Sequence, residues 1–145
     1  MKLLIVNNFR KNKVKRQKDF DDFVKAIKKS AVKDKGLIGT EIEFYVVNTI
    51  KELAYYIMDR DSEQYHNDES GRTFDRINAV LINGDCKYVP WHQTNNEIYI
   101  LIKMCIQTKT PIFCTSGAMQ TLVFQISIDM DPVISASNYL DMRHA

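Results

Sequence analysis

The chain has 145 residues, with 45% apolar content, 26% charged content and a formal net charge of +2. This size and composition suit one globular domain with a hydrophobic core, so we predict a single domain over residues 1–145. No apolar run approaches the roughly 18 residues that cross a bilayer, and the apolar opening is too short for a signal peptide, so we predict a soluble, cytoplasmic protein without membrane contact.

Charge is distributed unevenly along the chain. Residues 1–35 hold 12 lysines and arginines against 4 acidic residues, a net charge of +8, so the remainder carries −6. The densest basic segment consists of Arg10, Lys11, Lys13, Lys15, Arg16 and Lys18. Such a segment is either a solvated loop or a binding surface for a polyanion. Sites that bind single-stranded nucleic acid usually have aromatic residues among their basic ones, and this segment has none. We therefore predict that its partner is an acidic protein surface, such as a filament with acidic tails, rather than nucleic acid.

The first half of the chain alternates strand and helix patterns. Residues 3–6 and 41–47 are short runs rich in β-branched, aromatic or other apolar side chains, which is typical of strands. Between them, residues 20–27 carry apolar side chains at i, i+3, i+4 and i+7, which predicts an amphipathic helix. Acidic residues before this pattern and lysines after it suit the dipole of that helix. A shorter helix is predicted over residues 53–57, followed by an exposed polar loop over residues 61–71, in which His66 is a solvated side chain.

The second half repeats the alternation. Residues 77–82 form a third apolar run that ends in a turn. Thr94 and Glu97 have the spacing of a capping box ahead of an apolar helical pattern, which predicts a helix from Thr94 to about Gln107. A fourth strand at residues 112–113 leads into a last helix. Alternating strands and helices with short connections predict an α/β, three-layer sandwich with a mainly parallel sheet.

Nothing in the sequence predicts a metal, a cofactor or a disulfide. Three cysteines, Cys86, Cys105 and Cys114, form an odd set without C-x-x-C spacing, which predicts reduced thiols. Cys105 and Cys114 fall in apolar segments, where cysteine acts as a small hydrophobic side chain, and Cys86 lies beside a turn. There is no P-loop or G-x-G-x-x-G motif, and Asp129 and Asp131 lack a third ligand. We therefore predict no cofactor and no metal.

Residues 110–120, with the sequence TPIFCTSGAMQ, have the build of a strand-to-helix turn with Ser116 at its tip. In such a nucleophile elbow, the residues two before and two after the tip must be small, as Cys114 and Ala118 are, although neither is glycine. Together with the run NAVLING at residues 78–84, this segment resembles the class I glutamine amidotransferase-like family, which has a flavodoxin-like α/β fold.

The resemblance implies where the catalytic parts would lie. It extends over residues 2–126 in pattern and order, with few identities. It places Ser116 at the position of the family's nucleophilic cysteine, and Gly84 in the turn that supplies oxyanion donors. Met119 and Gln120 fall on the histidine and the glutamine that follow the nucleophile in the family.

Several departures from that family predict a chain that is not an enzyme. Serine replaces cysteine at Ser116, and an unassisted hydroxyl is far less ionised than a thiol. Asp85 puts a carboxylate where an oxyanion would form. The family's histidine and acid follow the elbow, whereas the single later histidine here is His144, beside the chain end. His92 is a weaker candidate base, because a Trp-His pair more often closes a loop over a core.

The resemblance and its departures predict a degenerate, shortened amidotransferase-like module that is a structural or interaction subunit of a larger intracellular assembly, such as a microtubule-associated one. A shortened sheet leaves an edge strand and apolar helix faces to be covered by a protein partner or by residues 133–139. Two alternatives stay open. One is an amidase or glutamine amidotransferase component that uses Ser116, or less favourably Cys86 or Cys114, with a base from another subunit. The other is a flavodoxin-like small-ligand-binding domain that uses the edge at Gly84 and Ser116.

Overall fold

The computed structural model describes residues 1–10, 13–33, 41–57, 74–85 and 88–130. These ranges contain four β-strands and four α-helices in alternation. The strands are β1 (Lys2–Asn8), β2 (Glu43–Val47), β3 (Ala79–Gly84) and β4 (Ile112–Cys114). The helices are α1 (Lys13–Lys33), α2 (Ile50–Tyr56), α3 (Asn96–Thr108) and α4 (Gly117–Met130), and short 3₁₀ turns cover Phe74–Arg76 and Gln93–Asn95.

The four strands form one parallel sheet in the order β2-β1-β3-β4. Within it, Val6 of β1 lies opposite Val47 of β2 on one side and Ile82 of β3 on the other. Ile82 also lies opposite Cys114 of β4. This is the strand order of flavodoxin-like folds, ending at the fourth strand within the described residues. The predicted α/β class, with a flavodoxin-like parallel sheet, is confirmed.

Side chains along each strand alternate between the two faces of the sheet, and each face has its own core. On one face, Leu3 and Ile5 of β1 form a buried cluster with Phe20 and Val24 of α1. On the other face, a larger cluster joins all four strands to α2, α3 and α4. The predicted three-layer arrangement is therefore also confirmed.

Helix α1 starts earlier than the sequence pattern predicts. It begins at Lys13, so its first turn contains no acidic residue, and several basic side chains lie in its first two turns. The prediction that the charges of this helix suit its dipole is wrong at the N-terminal end, because cations there face the positive end of the dipole. Burial of Phe20 and Val24 against the sheet fixes the helix in place.

Several of the residues discussed above lie outside the described ranges. They are Lys11, the loop over residues 61–71 with His66, Cys86, Asp131, residues 133–139 and His144. Among the residues that the structure describes, no helix combines the length and the apolar character that crossing a membrane requires.

Candidate functional site at the carboxyl edge of the sheet

The carboxyl ends of β1, β3 and β4 meet at one edge of the sheet. Asn8 lies opposite Gly84, and Ile82 lies opposite Cys114. Ser116 follows Cys114 by two residues, so it comes to the level of Gly84. The two positions that the amidotransferase resemblance singles out therefore share one edge, as the parallel topology requires.

Gly84 is required by close packing between two strands. A Cβ atom at this position would lie 2.6 Å from the backbone oxygen of Asn8 and 2.7 Å from the Asn8 Cβ. No side chain fits at that distance without moving backbone. Close packing therefore explains the glycine at this position without any role in oxyanion chemistry.

Arg10 and Asp85 join the loops that follow β1 and β3. The backbone N–H of Arg10 donates to Asp85 Oδ2 at 2.9 Å, and Arg10 Nε–H donates to Asn8 Oδ1 at 3.1 Å. Burial lowers the pKa of Arg10, and the nearby carboxylates of Glu97 and Asp85 oppose that shift. The guanidinium stays charged at this depth. An arginine and a carboxylate thus occupy the edge where a substrate of this fold would bind.

Ser116 is held in an unusual backbone conformation. Its φ of 50° lies in the left-handed region, which non-glycine residues rarely adopt. Thr115 N–H donates to the carbonyl of Ile82 at 3.0 Å, which continues the sheet, and the carbonyl of Ser116 accepts from Met119 N–H at 3.0 Å, which begins α4. The turn therefore passes from strand to helix through two residues, Thr115 and Ser116, with the exposed serine at its tip. Within the described residues, Ser116 Oγ has no hydrogen-bond partner.

His92 is engaged within its own loop. Its Nδ1 accepts from Thr94 N–H at 3.2 Å and lies 2.9 Å from Thr94 Oγ1. The imidazole also stacks on Tyr88, with ring centroids 4.6 Å apart. None of the described contacts of His92 is with Ser116, and the structure does not bring this candidate base into a pair with the serine.

The predicted capping box at Thr94 is wrong, and His92 accounts for the difference. His92 caps the short 3₁₀ turn that precedes α3, so the Thr94 hydroxyl contacts the imidazole instead of the helix. Helix α3 then begins at Asn96, and its N-cap residue, Asn95, makes no side-chain cap. The spacing of Thr94 and Glu97 indicated the helix but not its first residue.

The two described cysteines are not candidate nucleophiles. Cys105 and Cys114 are buried. Desolvation raises the pKa of each thiol to about 12. Both thiols are therefore protonated at neutral pH, whereas the thiolate is the reactive form.

The basic residues of the N-terminal segment divide into two groups. Lys13, Lys15, Arg16 and Lys18 are exposed on the first turns of α1, and we call them the α1 basic patch. Within it, Arg16 forms an ion pair with Asp19 at 2.8 Å, which is half exposed and contributes little to stability. Arg10 differs, since its side chain is partly buried at the sheet edge.

A groove beside α4 was not predicted from the sequence. It has a volume of about 440 Å³, and its lining residues are Pro90, Met119, Gln120, Val123, Phe124 and Ser127. The loop on its far side is fixed, because Asn95 Nδ2 donates to the carbonyls of Val89 and Pro90 at 3.2 Å. Trp91 of the same loop packs on Phe124, with ring centroids 5.5 Å apart. The apolar residues of α4 that face away from the sheet were the signal that could have indicated this groove.

The described ranges contain no group of three or more His, Cys, Asp or Glu side chains that could hold a metal ion. The candidate functional features of the described residues are the sheet edge at Ser116, the α1 basic patch and the groove beside α4. Comparisons of the chain with models of protein families, with curated proteins and with solved structures found no match.

Proposed function

We propose that this chain is a non-catalytic, amidotransferase-like interaction module that binds an acidic protein surface within a larger assembly. The observation that carries the proposal is the α1 basic patch. Lys13, Lys15, Arg16 and Lys18 are all exposed, and no acidic residue accompanies them in the first turn of the helix.

The electrostatics of this patch favour an anionic partner. Lys15 and Lys18, like Lys13 and Arg16, are three residues apart on the helix, and like charges at that spacing repel one another. The positive end of the helix dipole adds to this repulsion. An acidic surface that approaches α1 relieves both effects. Relief of this repulsion therefore contributes favourably to the free energy of binding.

The arrangement at the sheet edge supports a non-catalytic role. A serine nucleophile needs a base within hydrogen-bond reach, and His92 is engaged in its own loop. The carboxylate of Asp85 accepts from the Arg10 backbone at the turn where an oxyanion would need donors. Negative charge at that position opposes the charge that develops in acyl transfer.

The chemistry of the patch suits an acidic protein tail. Four cations spread over two helical turns match a flexible run of carboxylates. The cation–ring contact that the described residues of this patch show is between the Arg16 guanidinium and Phe9, at 5.9 Å. Base stacking, which single-stranded nucleic acid binding uses, has little support there. Filaments with acidic tails present such runs repeatedly, which makes a cytoskeletal filament our proposed partner class.

Neutralising the α1 basic patch is expected to weaken binding to an acidic polypeptide at least tenfold. The variant is Lys13→Gln, Lys15→Gln, Arg16→Gln and Lys18→Gln in one chain, and the probe is poly-glutamate at 0.1 M salt. Each cation near an anionic surface contributes about 1 kcal/mol, and screening lowers that amount in salt. Titration calorimetry or fluorescence anisotropy measures the change in Kd.

The matched control neutralises four exposed lysines further along α1. They are Lys25, Lys28, Lys29 and Lys33, and their loss changes the net charge by the same amount. We expect the change in log Kd for this control to be less than a third of the change for the variant of the α1 basic patch. Equal losses in both variants would show that only net charge matters, and tighter binding of RNA than of poly-glutamate would overturn the choice of a protein partner.

The non-catalytic part of the proposal predicts no glutaminase activity at Ser116. Ammonia release from glutamine by the purified chain is expected to equal the buffer background. Because alanine is strained at a φ of 50°, the comparison uses Ser116→Gly as well as Ser116→Ala. Release by the natural chain that disappears in both variants would establish the chain as an enzyme.

A further inference from the structure

The exposed side of α4 differs from the rest of the surface. Residues 110–128 form a run of 19 residues without a single charged side chain, in a chain that is 26% charged. Met119, Val123 and Ile126 of α4 are 49%, 57% and 41% exposed. Their i, i+4, i+7 spacing places them along one stripe of the helix. Charge depletion combined with exposed Met and aliphatic side chains is typical of the core of a protein interface.

This stripe is not the side of α4 that faces the core. The buried residues of α4 are Ala118, Thr121, Gln125 and Ile128, and they lie on the opposite side of the helix from Val123. Helix α4 is therefore largely uncharged all round. A helix with that character is normally covered on every side.

The same surface carries exposed apolar side chains and a groove. Met119 and Val123 line the groove of about 440 Å³, whose other side is formed by Pro90 and Phe124. Because Asn95 fixes the loop that contains Pro90, the groove is part of the folded domain. A two-fold axis beside α4 brings this surface of one copy against the same surface of the other.

We propose that α4 and the adjoining groove form the interface of a symmetric homodimer. In a two-fold interface each patch meets its own copy, so any charge near the axis meets the same charge. The uncharged stripe meets that condition. A charged partner, in contrast, would lose hydration on this surface and find no side chain of opposite charge to pair with.

The size of the surface predicts a weak dimer. A helix of 14 residues is about 21 Å long, so with the groove it offers on the order of 400 Å² per copy. The pair then buries roughly 800 Å², which is below the range of stable, standard-size interfaces. We expect dissociation constants in the micromolar range.

The geometry of the fold links this dimer to the proposed function. Helix α1 packs on one face of the sheet and α4 on the other, so dimerisation through α4 leaves both α1 basic patches exposed. Two patches on one particle increase the apparent affinity for a repeating acidic surface. This consequence rests on the proposed function, whereas the dimer itself does not.

The test is the concentration dependence of molecular mass, measured by sedimentation velocity on the full chain between about 1 and 200 μM. The natural chain is expected to change from the 16.9 kDa monomer toward twice that mass. Val123→Glu is expected to stay monomeric over the whole range. The matched control is Val32→Glu, which replaces a valine on α1 that is 76% exposed, and it is expected to dimerise normally.

A charge-complementation experiment separates loss of the interface from loss of folding. Val123→Glu and Val123→Lys are each expected to be monomeric alone and to form a mixed dimer when combined. A natural chain that is monomeric at 200 μM would overturn the proposal and favour coverage of this face by residues 131–145 or by a different protein. Dimers that tolerate Val123→Glu would overturn the choice of surface.

Binding assays distinguish this inference from the proposed function. Val123→Glu is expected to bind a short acidic peptide as the natural chain does, and to bind long poly-glutamate about tenfold or more weakly. Dimerisation without poly-glutamate binding would remove the proposed partner and leave the dimer intact. Poly-glutamate binding by a chain that never dimerises would do the opposite.

Discussion

Replacing Phe20 with alanine is expected to lower the free energy of unfolding by about 3–5 kcal/mol. Phe20 is fully buried, and α1 is the only described helix that packs on its face of the sheet. Removal of a buried aromatic side chain loses its transfer free energy and leaves a cavity. The other buried residues of its cluster, Leu3, Ile5 and Val24, would lose their contacts with the ring. Urea denaturation followed by circular dichroism measures the change.

The matched control is the same substitution at an exposed phenylalanine. Phe113 of β4 is 58% exposed, and Phe113→Ala is expected to cost less than about 1 kcal/mol. Because domains of this size are stable by only about 5–15 kcal/mol, Phe20→Ala removes a large fraction of the total. A cost at Phe113 equal to that at Phe20 would show that the outer face of β4 is covered in solution, in disagreement with its exposure here.

The fold was predictable because its signals are local. The spacing of Phe20, Phe23, Val24 and Ile27 identified the buried side of α1, and the apolar runs identified the strands. The start of α1 was not predictable from charge patterns. Lysine, arginine and glutamine are good helix formers, and their summed propensity over residues 13–18 outweighs a dipole effect of a few tenths of a kcal/mol per charge.

The position of the candidate site was predictable from the topology, but the contacts between its residues were not. The carboxyl ends of parallel strands lie at the same edge of a sheet, so the topology alone places Gly84 and Ser116 at one edge. The contact between Arg10 and Asp85 joins residues 75 apart in the chain, and no local pattern indicates it. Likewise, His92 could be a base or part of a loop that closes over the core on sequence grounds, and its role as the cap of a 3₁₀ turn was visible only in the structure.

Substituting Gly84 is expected to have the largest effect of any single change at the sheet edge. Gly84→Ala is expected to lower the free energy of unfolding by about 3 kcal/mol, and Gly84→Val is expected to prevent folding. A Cβ at this position would lie 2.6 Å from the Asn8 carbonyl oxygen, which belongs to the backbone of the central strand. Overpacking typically costs 1–3 kcal/mol where side chains can move, and backbone moves less readily. Denaturant titration measures the first variant, and the yield of folded protein measures the second.

The neighbouring residue of the same strand provides the control. Asn83 is only partly buried, and Asn83→Ala is expected to cost less than about 1 kcal/mol, because its Cβ already has room. If Gly84→Ala were as mild as this control, β1 and β3 would be able to separate at their carboxyl ends. The Arg10 to Asp85 hydrogen bond spans the same gap, so separation there would also open the edge beside Ser116. A mild Gly84→Ala variant would therefore contradict the close approach of Gly84 to the Asn8 backbone.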